Sequence, residues 1–201
     1  TKMQVPTIVN FLLDESGSMA ACLTQTIEGF NSYLDTLKKD GLVNRFSLTK
    51  FSNNKTMIVY NSEDINKVSK LDKETYIPDG NTPLYDAIGK TVVELDRKLD
   101  IWNNHIKVPP TILFVIMTDG QENSSKEFKK DMILSMIKEK SEKDGWAFVY
   151  MGSEQSTWDD AQVIGIAPSA TMSYTPTGPG TTIAYTQESN STLKYLKDRK
   201  S

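Results

Sequence analysis

Two runs of the chain, Thr7–Leu13 and Thr111–Met117, are almost continuously apolar. Such runs are typical of central parallel strands that are covered on both faces by helices. Shorter apolar runs and amphipathic stretches of helical period alternate along much of the remaining chain, which predicts a doubly wound α/β fold with right-handed crossovers. Because the direction of winding reverses between the two runs, we expect them to be adjacent inner strands.

Three further strands are predicted, over Phe46–Phe51, Met57–Tyr60 and Trp146–Tyr150. The first two flank Asn53-Asn54-Lys55, a turn-like segment that indicates a hairpin and hence one antiparallel edge strand. The other strands alternate with helices, so we expect them to be parallel. The predicted architecture is a mostly parallel, Rossmann-like central sheet with helices on both faces.

Three apolar stripes at helical spacing predict the helices that cover the sheet. The first helix has Thr24 as its predicted N-cap and Gly41 as its stop, and the third has Ser124 or Ser125 as its cap and Gly145 just beyond its end. The stripes are formed by Ile27, Phe30, Leu34 and Leu37; by Leu84, Ile88, Val92, Leu95 and Leu99; and by Phe128, Met132, Ile133, Met136 and Ile137. A final helix is predicted over Thr182–Lys197. With 201 residues and no linker-like segment, we expect a single domain over residues 1–201.

Charge and composition restrict the class of partner and compartment. The net charge of −3 and the isoelectric point near 5.3 disfavour nucleic acid or an anionic membrane, both of which require a basic surface. No apolar run approaches the roughly 18 residues that cross a bilayer, and the N-terminal residues lack the apolar region of a signal peptide. Cys22 is the only cysteine, which excludes an internal disulfide and fits a reducing compartment. We therefore expect a cytoplasmic monomer that binds neither nucleic acid nor membrane.

Oxygen-bearing side chains follow the first predicted strand directly, in Asp14-Glu15-Ser16-Gly17-Ser18. The carboxylate of Asp14 and the hydroxyls of Ser16 and Ser18 are hard donors, which suit Mg²⁺, Mn²⁺ or Ca²⁺ better than zinc or copper. In open α/β sheets, ligands bind at the carboxyl ends of the strands. This segment therefore predicts a metal site at that edge of the sheet.

Two other loops supply oxygen donors to the same edge. Asp79–Leu84 places Thr82 just before a predicted helix, and Thr118–Gln121 follows the strand Thr111–Met117 and presents Asp119. The complete set of candidate metal ligands is Asp14, Ser16, Ser18, Thr82 and Asp119.

The three segments together resemble the metal-ion-dependent adhesion site of von Willebrand factor type A domains. The pattern consists of D-x-S-x-S, a later threonine in G-N-T-P-L-Y-D-A-I, and T-D-G-Q-E-N after an apolar strand, in the order and spacing of that family. The resemblance covers essentially the whole chain, and its end is similar to small stand-alone members from bacteria and their phages. It implies the type A fold and a bound divalent cation, Mg²⁺ or else Mn²⁺ or Ca²⁺, which the serines and threonine contact while the aspartates often act through water.

The resemblance also implies a binding function rather than catalysis. Only two of the five donors are charged, so the cation remains electrophilic and keeps an open position for an incoming carboxylate. We expect a protein partner that offers an Asp or Glu side chain to this position, and no enzymatic activity.

Three other functions are alternatives. A metal-dependent hydrolase or phosphotransferase would also place an aspartate after the first strand. Haloacid-dehalogenase-type phosphatases, however, need a second aspartate at the position where this chain has Ser16. They also need a positioned lysine, and none lies in these loops. A serine hydrolase would need G-x-S-x-G and a nearby histidine, and neither is apparent in the sequence. An RNA-associated adaptor is disfavoured by the acidic charge.

Several residues also have simpler interpretations. Ser16 and Ser18 alone would be read as helix caps, Asp79-Gly80 as an ordinary turn, and Glu15 as a solvated side chain. His105, the only histidine, is expected in a surface connector, which disfavours a Cys22–His105 dyad. For Trp158 and Tyr174, a place in the core and a place on the binding surface remain equally open.

Overall fold

A computed structural model describes residues 5–53, 55–105, 108–118, 122–153, 161–162, 164–166 and 171–174, with the backbone alone for Cys22, Gln25, 151–153 and 171–174. The strands are β1 (Thr7–Asp14), β2 (Arg45–Phe51), β3 (Thr56–Asp64), β4 (Thr111–Met117), β5 (Ala147–Ser153) and β6 (Thr171–Tyr174). The helices are α1 (Leu23–Asp40), α2 (Leu84–His105) and α3 (Lys130–Lys143), with short 3-10 helices at Gly17–Cys22 and Ile65–Lys67.

The described strands form one sheet of six in the order β3-β2-β1-β4-β5-β6. Within it β2 and β3 pair antiparallel, and the other pairs are parallel. Strand β1 lies between β2 and β4, with Leu13 opposite Met117 and Asp14 opposite Phe51. The predicted neighbours, the hairpin and the mostly parallel doubly wound sheet are therefore confirmed, and β6 is an additional strand. The carboxyl ends of β1, β2 and β4 meet at one edge.

Helices cover both faces of the sheet, and β1 and β4 are therefore buried along their whole length. On one face α1 packs against the sheet through Phe30, whose ring meets Phe11 at 5.6 Å and Phe46 at 6.0 Å between centroids. On the other face α2 and α3 contribute Ile88 and Ile137 to a second cluster. Each fully buried apolar side chain of this size contributes about 1.5–3 kcal/mol relative to exposure. The two clusters fix the sheet and thereby its carboxyl edge.

The beginning of α1 differs from the prediction, whereas its end agrees. Thr24 lies inside α1 and is not its N-cap, because the 3-10 helix Gly17–Cys22 leads directly into α1 at Leu23. Gly41 follows the last helical residue with φ of 66°, a left-handed conformation that favours glycine, and its N–H donates to the Leu37 carbonyl.

The predicted caps of α3, Ser124 and Ser125, are wrong. Helix α3 begins only at Lys130, and Phe128 precedes it. The backbone before the helix is held instead by Asp86 of α2, whose carboxylate accepts the N–H groups of residues 126–128. Phe128 still packs into the core, against Gly89, where an added Cβ would lie 2.3 Å from its ring. At the other end of α3, Gly145 has φ of 70° just beyond the last turn, as predicted.

The second predicted helix is longer than its apolar stripe indicated. Helix α2 runs to His105, so this exposed histidine lies on a helix rather than in a connector. None of the helices in the described ranges is both long enough and apolar enough to cross a lipid bilayer. The predictions for the Cys22 side chain, for Trp158, for the Tyr174 side chain and for a helix over Thr182–Lys197 lie outside the described residues.

Candidate metal site

Asp14 is the last residue of β1, and it is fully buried at the carboxyl edge of the sheet. Its Oδ1 accepts the Ser16 backbone N–H at 2.7 Å, and its Oδ2 accepts the Thr118 hydroxyl at 2.7 Å. A buried carboxylate needs such donors, because losing its hydration is costly. Since Thr118 directly follows β4, the orientation of Asp14 depends on two neighbouring strands. Thr118 is the first residue of the T-D-G-Q-E-N segment, but nothing in the sequence indicates that it binds Asp14.

Ser16 and Ser18 lie together on the turn that follows Asp14. Their Oγ atoms are 3.3 Å apart, and Ser16 is almost completely buried. Ser16 occupies the N-cap position of the 3-10 helix Gly17–Cys22, yet within the described structure its side chain makes no capping hydrogen bond. Its carbonyl accepts the Met19 N–H instead. The capping interpretation is therefore not supported for Ser16, and the paired hydroxyls fit a ligand role better.

The segment that leads to Thr82 runs against this turn. The Gly17 N–H donates to the Gly80 carbonyl, and the Asp79 N–H donates to the Glu15 carbonyl, both at 2.9 Å. Gly80 has φ of 84°, so glycine is favoured at the point where the segment turns. Thr82 follows two residues later and is 4% exposed. The structure thus brings the second motif segment to the first.

Asn123 joins Thr82 to the loop that follows β4. Its Oδ1 accepts the Thr82 N–H at 2.9 Å, and its own N–H donates to the Thr82 carbonyl at 3.1 Å. This reciprocal pair holds Thr82 as a backbone bridge would. Asn123 belongs to the T-D-G-Q-E-N segment, but nothing local in the sequence indicates that its partner lies 41 residues earlier. Asp119 is outside the described residues, so its place among the ligands stays a prediction.

Glu15 contradicts the prediction of a solvated side chain. It is fully buried, with its carboxylate 3.0 Å from the Lys50 ammonium and 3.4 Å from that of Lys55. Its Oε2 also accepts the Ile77 N–H at 3.0 Å. The prediction failed because these three partners are distant in sequence, and only the fold places them beside the motif.

The beginning of α2, which follows Thr82, is anchored by the buried carboxylate of Asp86. Burial raises the pKa of Asp86, but the backbone N–H groups of Lys126, Phe128 and Glu127, together with the charge of Lys90, outweigh it. The pKa of Asp86 therefore lies below its ordinary value. This carboxylate connects the helix after Thr82 to the segment that precedes α3.

The described donors fit a hard divalent cation. They comprise one carboxylate, from Asp14, and the hydroxyls of Ser16, Ser18 and Thr82, which are oxygen ligands of the type that Mg²⁺, Mn²⁺ and Ca²⁺ prefer. Within the described ranges, no three His, Cys, Asp or Glu side chains cluster so as to hold a metal. Among the described candidate ligands, hydroxyls outnumber the single carboxylate.

The sheet order defines an open, doubly wound α/β domain, and the described candidate ligands lie at the carboxyl edge, where ligands bind in such sheets. Comparison with solved structures identifies the fold as that of von Willebrand factor type A domains. The VWA domain of SpRpn10 matches 91% of this chain and 95% of its own length, with a TM-score of 0.59 and 12% identity. No family model and no curated protein sequence matches the chain.

Two further matches are structures of metal-bound proteins. Manganese-loaded TRAP protein of Plasmodium vivax matches over 81% of this chain and 64% of its own, with a TM-score of 0.57 and 20% identity. Proximal thread matrix protein 1 of the mussel byssus, with zinc in its metal-ion-dependent adhesion site (MIDAS) motif, matches over 96% of this chain with a TM-score of 0.53 and 15% identity. This chain spans about half the length of that byssus protein. At these identities the likeness is one of fold.

Proposed function

We propose that this chain is a divalent-metal-dependent protein-binding module that captures a carboxylate from a partner at a metal-ion-dependent adhesion site. The observation on which this depends is the pair of hydroxyls from Ser16 and Ser18 beside the buried carboxylate of Asp14. We infer that Asp14, Ser16, Ser18, Thr82 and Asp119 hold the cation, and Mg²⁺ is the cation we propose. The metal-bound structures of TRAP and of the byssus protein, which share the fold, support a divalent metal in general.

The residues around the site have separate tasks. Asp14 supplies a fixed negative charge, because Thr118 and the Ser16 N–H hold its two oxygens. The serine hydroxyls and Thr82 add neutral oxygens, so they do not cancel the charge of a cation. A bound divalent cation supplies the positive charge and the exchangeable position that a carboxylate can occupy. The partner we propose is a protein that presents an Asp or Glu side chain.

The rival function is metal-dependent hydrolysis or phosphoryl transfer. Lys50 and Lys55 lie beside the motif loop, residues 14–18, but both ammonium groups are paired with Glu15. They also donate to the Thr75 and Ile77 carbonyls, respectively. At the position of a second catalytic aspartate the chain has Ser16, whose hydroxyl lies next to that of Ser18. These contacts favour binding over catalysis, and we propose that the chain is not an enzyme.

Water-proton relaxation of bound Mn²⁺ tests the proposal, because it reports the water that a ligand displaces from the metal. Acetate serves as the minimal carboxylate and acetamide as its uncharged control. We expect acetate, but not acetamide, to lower the relaxivity of the Mn²⁺ complex of the wild type. Mn²⁺ that binds but does not respond to acetate would contradict carboxylate capture. Metal-dependent turnover of p-nitrophenyl phosphate would favour the rival function.

A further inference from the structure

The carboxylate of Glu15, on the motif loop, lies at the centre of a cluster of ion pairs that is largely buried. Glu15 is fully buried, and Lys50 is 7% exposed. The Glu15 carboxylate contacts the ammonium groups of Lys50, from the end of β2, and Lys55, which directly precedes the hairpin strand β3. The turn that bears Asp14, Ser16 and Ser18 is thereby joined to the edge hairpin.

Both lysines also bind the backbone of the segment that leads to Thr82. The Lys50 ammonium donates to the Thr75 carbonyl, and the Lys55 ammonium donates to the Ile77 carbonyl at 3.1 Å. Glu15 itself accepts the Ile77 N–H at 3.0 Å. The three side chains therefore hold the N–H and carbonyl of Ile77 and the carbonyl of Thr75. We call this arrangement the Glu15 clamp.

Main-chain contacts extend the clamp toward the candidate ligands. The Glu15 carbonyl accepts the Asp79 N–H at 2.9 Å, and the Tyr76 hydroxyl donates to the Asp14 carbonyl at 2.7 Å. Thr82 is three residues beyond Asp79. The position of its hydroxyl relative to Ser16 therefore depends on how the segment of residues 75–79 lies on the motif loop.

We propose that the Glu15 clamp positions Thr82 against Ser16 and Ser18, and so determines the affinity of the site for its cation. The inference rests on the proposed function, since it concerns the same site. A buried ion pair is a weak source of stability, because desolvation offsets most of its Coulomb attraction. All three clamp residues contact the one segment that leads to a ligand, which is the arrangement expected of groups that orient metal ligands. Removal of such supporting groups typically weakens metal binding by about 10–100-fold.

The test is calorimetric titration of Mn²⁺ into the wild type, Glu15→Gln and Lys55→Met. We expect Glu15→Gln to raise the Kd by about tenfold or more and Lys55→Met to raise it by a smaller factor. Lys55→Met also separates positioning from plain electrostatics, because removing a nearby positive charge would by itself tighten cation binding. Lys55 is 34% exposed on its side chain, so this variant decides the matter if Glu15→Gln does not fold.

Lys70→Met is the matched control, because it removes the same charge from an exposed pair with Asp35 that lies outside the clamp. We expect its Kd to equal that of the wild type. The double variant Glu15→Gln/Lys55→Met should bind no more weakly than Glu15→Gln alone, because the clamp acts as one unit. Circular dichroism confirms that each titrated variant is folded, so a change in Kd is not a loss of folded protein.

The outcomes separate the clamp from the proposed function. If the wild type binds no Mn²⁺, the proposed function fails. If the wild type binds and both folded variants bind with its Kd, the metal site stands and the clamp is rejected. Tighter binding by Lys55→Met would also reject positioning, in favour of an electrostatic effect alone.

Discussion

The buried carboxylate of Asp14 depends on donors from two different parts of the chain. One is the backbone N–H of Ser16, two residues on, and the other is the hydroxyl of Thr118, which lies 104 residues away. The first donor follows from the local turn, whereas the second exists only because β1 and β4 are neighbours. Thr118 thus orients Asp14 at the candidate site, a contact that a ligand motif alone does not reveal.

Replacement of Thr118 by valine should affect both stability and metal binding. Valine keeps the shape but removes the hydroxyl, which leaves Oδ2 of a buried carboxylate without this donor. We expect a loss of about 1–3 kcal/mol in the free energy of unfolding, measured by urea denaturation, and weaker Mg²⁺ binding. Thr118→Ser, which retains the hydroxyl, is the control and should keep the metal affinity. Equal Mg²⁺ affinity in Thr118→Val and the wild type would show that this hydrogen bond does not support the site.

Asp86 gives a prediction that depends on pH. Because its pKa in the folded chain lies below the ordinary 3.8, ionised Asp86 stabilises the fold above that pH, and this contribution is lost as the pH falls through the folded-state pKa. Asp86→Asn should therefore lower the free energy of unfolding by about 1.5–3 kcal/mol at pH 7, since the hydrogen bonds to a charged acceptor are lost. The difference from the wild type should shrink below pH 3.8.

Chemical denaturation at several pH values measures this difference. Asp100→Asn makes the same change at an exposed position of the same helix, and it should have little effect at any pH. A deficit of Asp86→Asn that is constant from neutral to acidic pH would mean that the ionised carboxylate is not what stabilises this segment.

Among the elements, the contact between α2 and the segment before α3 depends on a glycine, which has no side chain. Gly89 lies in α2, and the Phe128 ring occupies the space where a Cβ would stand. Phe128 was predicted as a helical core residue; the structure keeps it in the core but outside the helix. The apolar stripe therefore identified Phe128 as a residue that packs against the core, although Phe128 is only partly buried and Met132 of the same stripe is exposed. The stripe did not reveal the helix boundary, because Asp86 holds residues 126–128 outside the helix.

Gly89→Ala should destabilise the protein, although alanine favours helix formation by about 1 kcal/mol relative to glycine. The overlap with the Phe128 ring forces one of the two elements to move, and overpacking of this kind costs about 1–3 kcal/mol. Thermal unfolding of Gly89→Ala, Phe128→Leu and the double variant measures the effect. We expect the double variant to be more stable than the two single losses together predict, because leucine relieves the overlap. A Gly89→Ala protein more stable than the wild type would contradict the packing described here.

The strands of the sheet could be predicted from the sequence more reliably than the helix caps. The near-continuous apolar runs of β1 and β4, and the turn between β2 and β3, determine the sheet because hydrophobic burial leaves few alternatives. Caps were predicted less well. Thr24 resembles a cap locally, but a 3-10 helix leads into α1. Ser124 and Ser125 also resemble caps, but they precede a segment that Asp86 holds before α3 begins. The prediction that Glu15 is solvated was wrong for a similar reason, because the local sequence of a solvated glutamate does not differ from that of a buried, ion-paired one.

At the scale of the whole molecule, the described candidate ligands lie at the edge where β1, β2 and β4 end. Asp14 and the two serines follow β1, Thr82 is brought in by the segment on the motif loop, and Asn123 connects it to the loop after β4. The candidate ligands thus depend on several parts of the fold, and the candidate site depends on all of these parts. Metal binding should therefore require the folded domain and should stabilise it in turn.

Calorimetric titration of Mg²⁺ into the wild type and into Asp14→Ala tests directly whether this edge of the sheet binds a cation. Asp14 is the one charged ligand among the described residues, and it lies at the end of a strand, so its removal should leave the sheet formed. We predict saturable binding of one Mg²⁺ per chain to the wild type, abolished by excess chelator. For Asp14→Ala with an unchanged circular dichroism spectrum, we predict no measurable binding. Equal affinity of the two proteins for Mg²⁺ would contradict the assignment of the site.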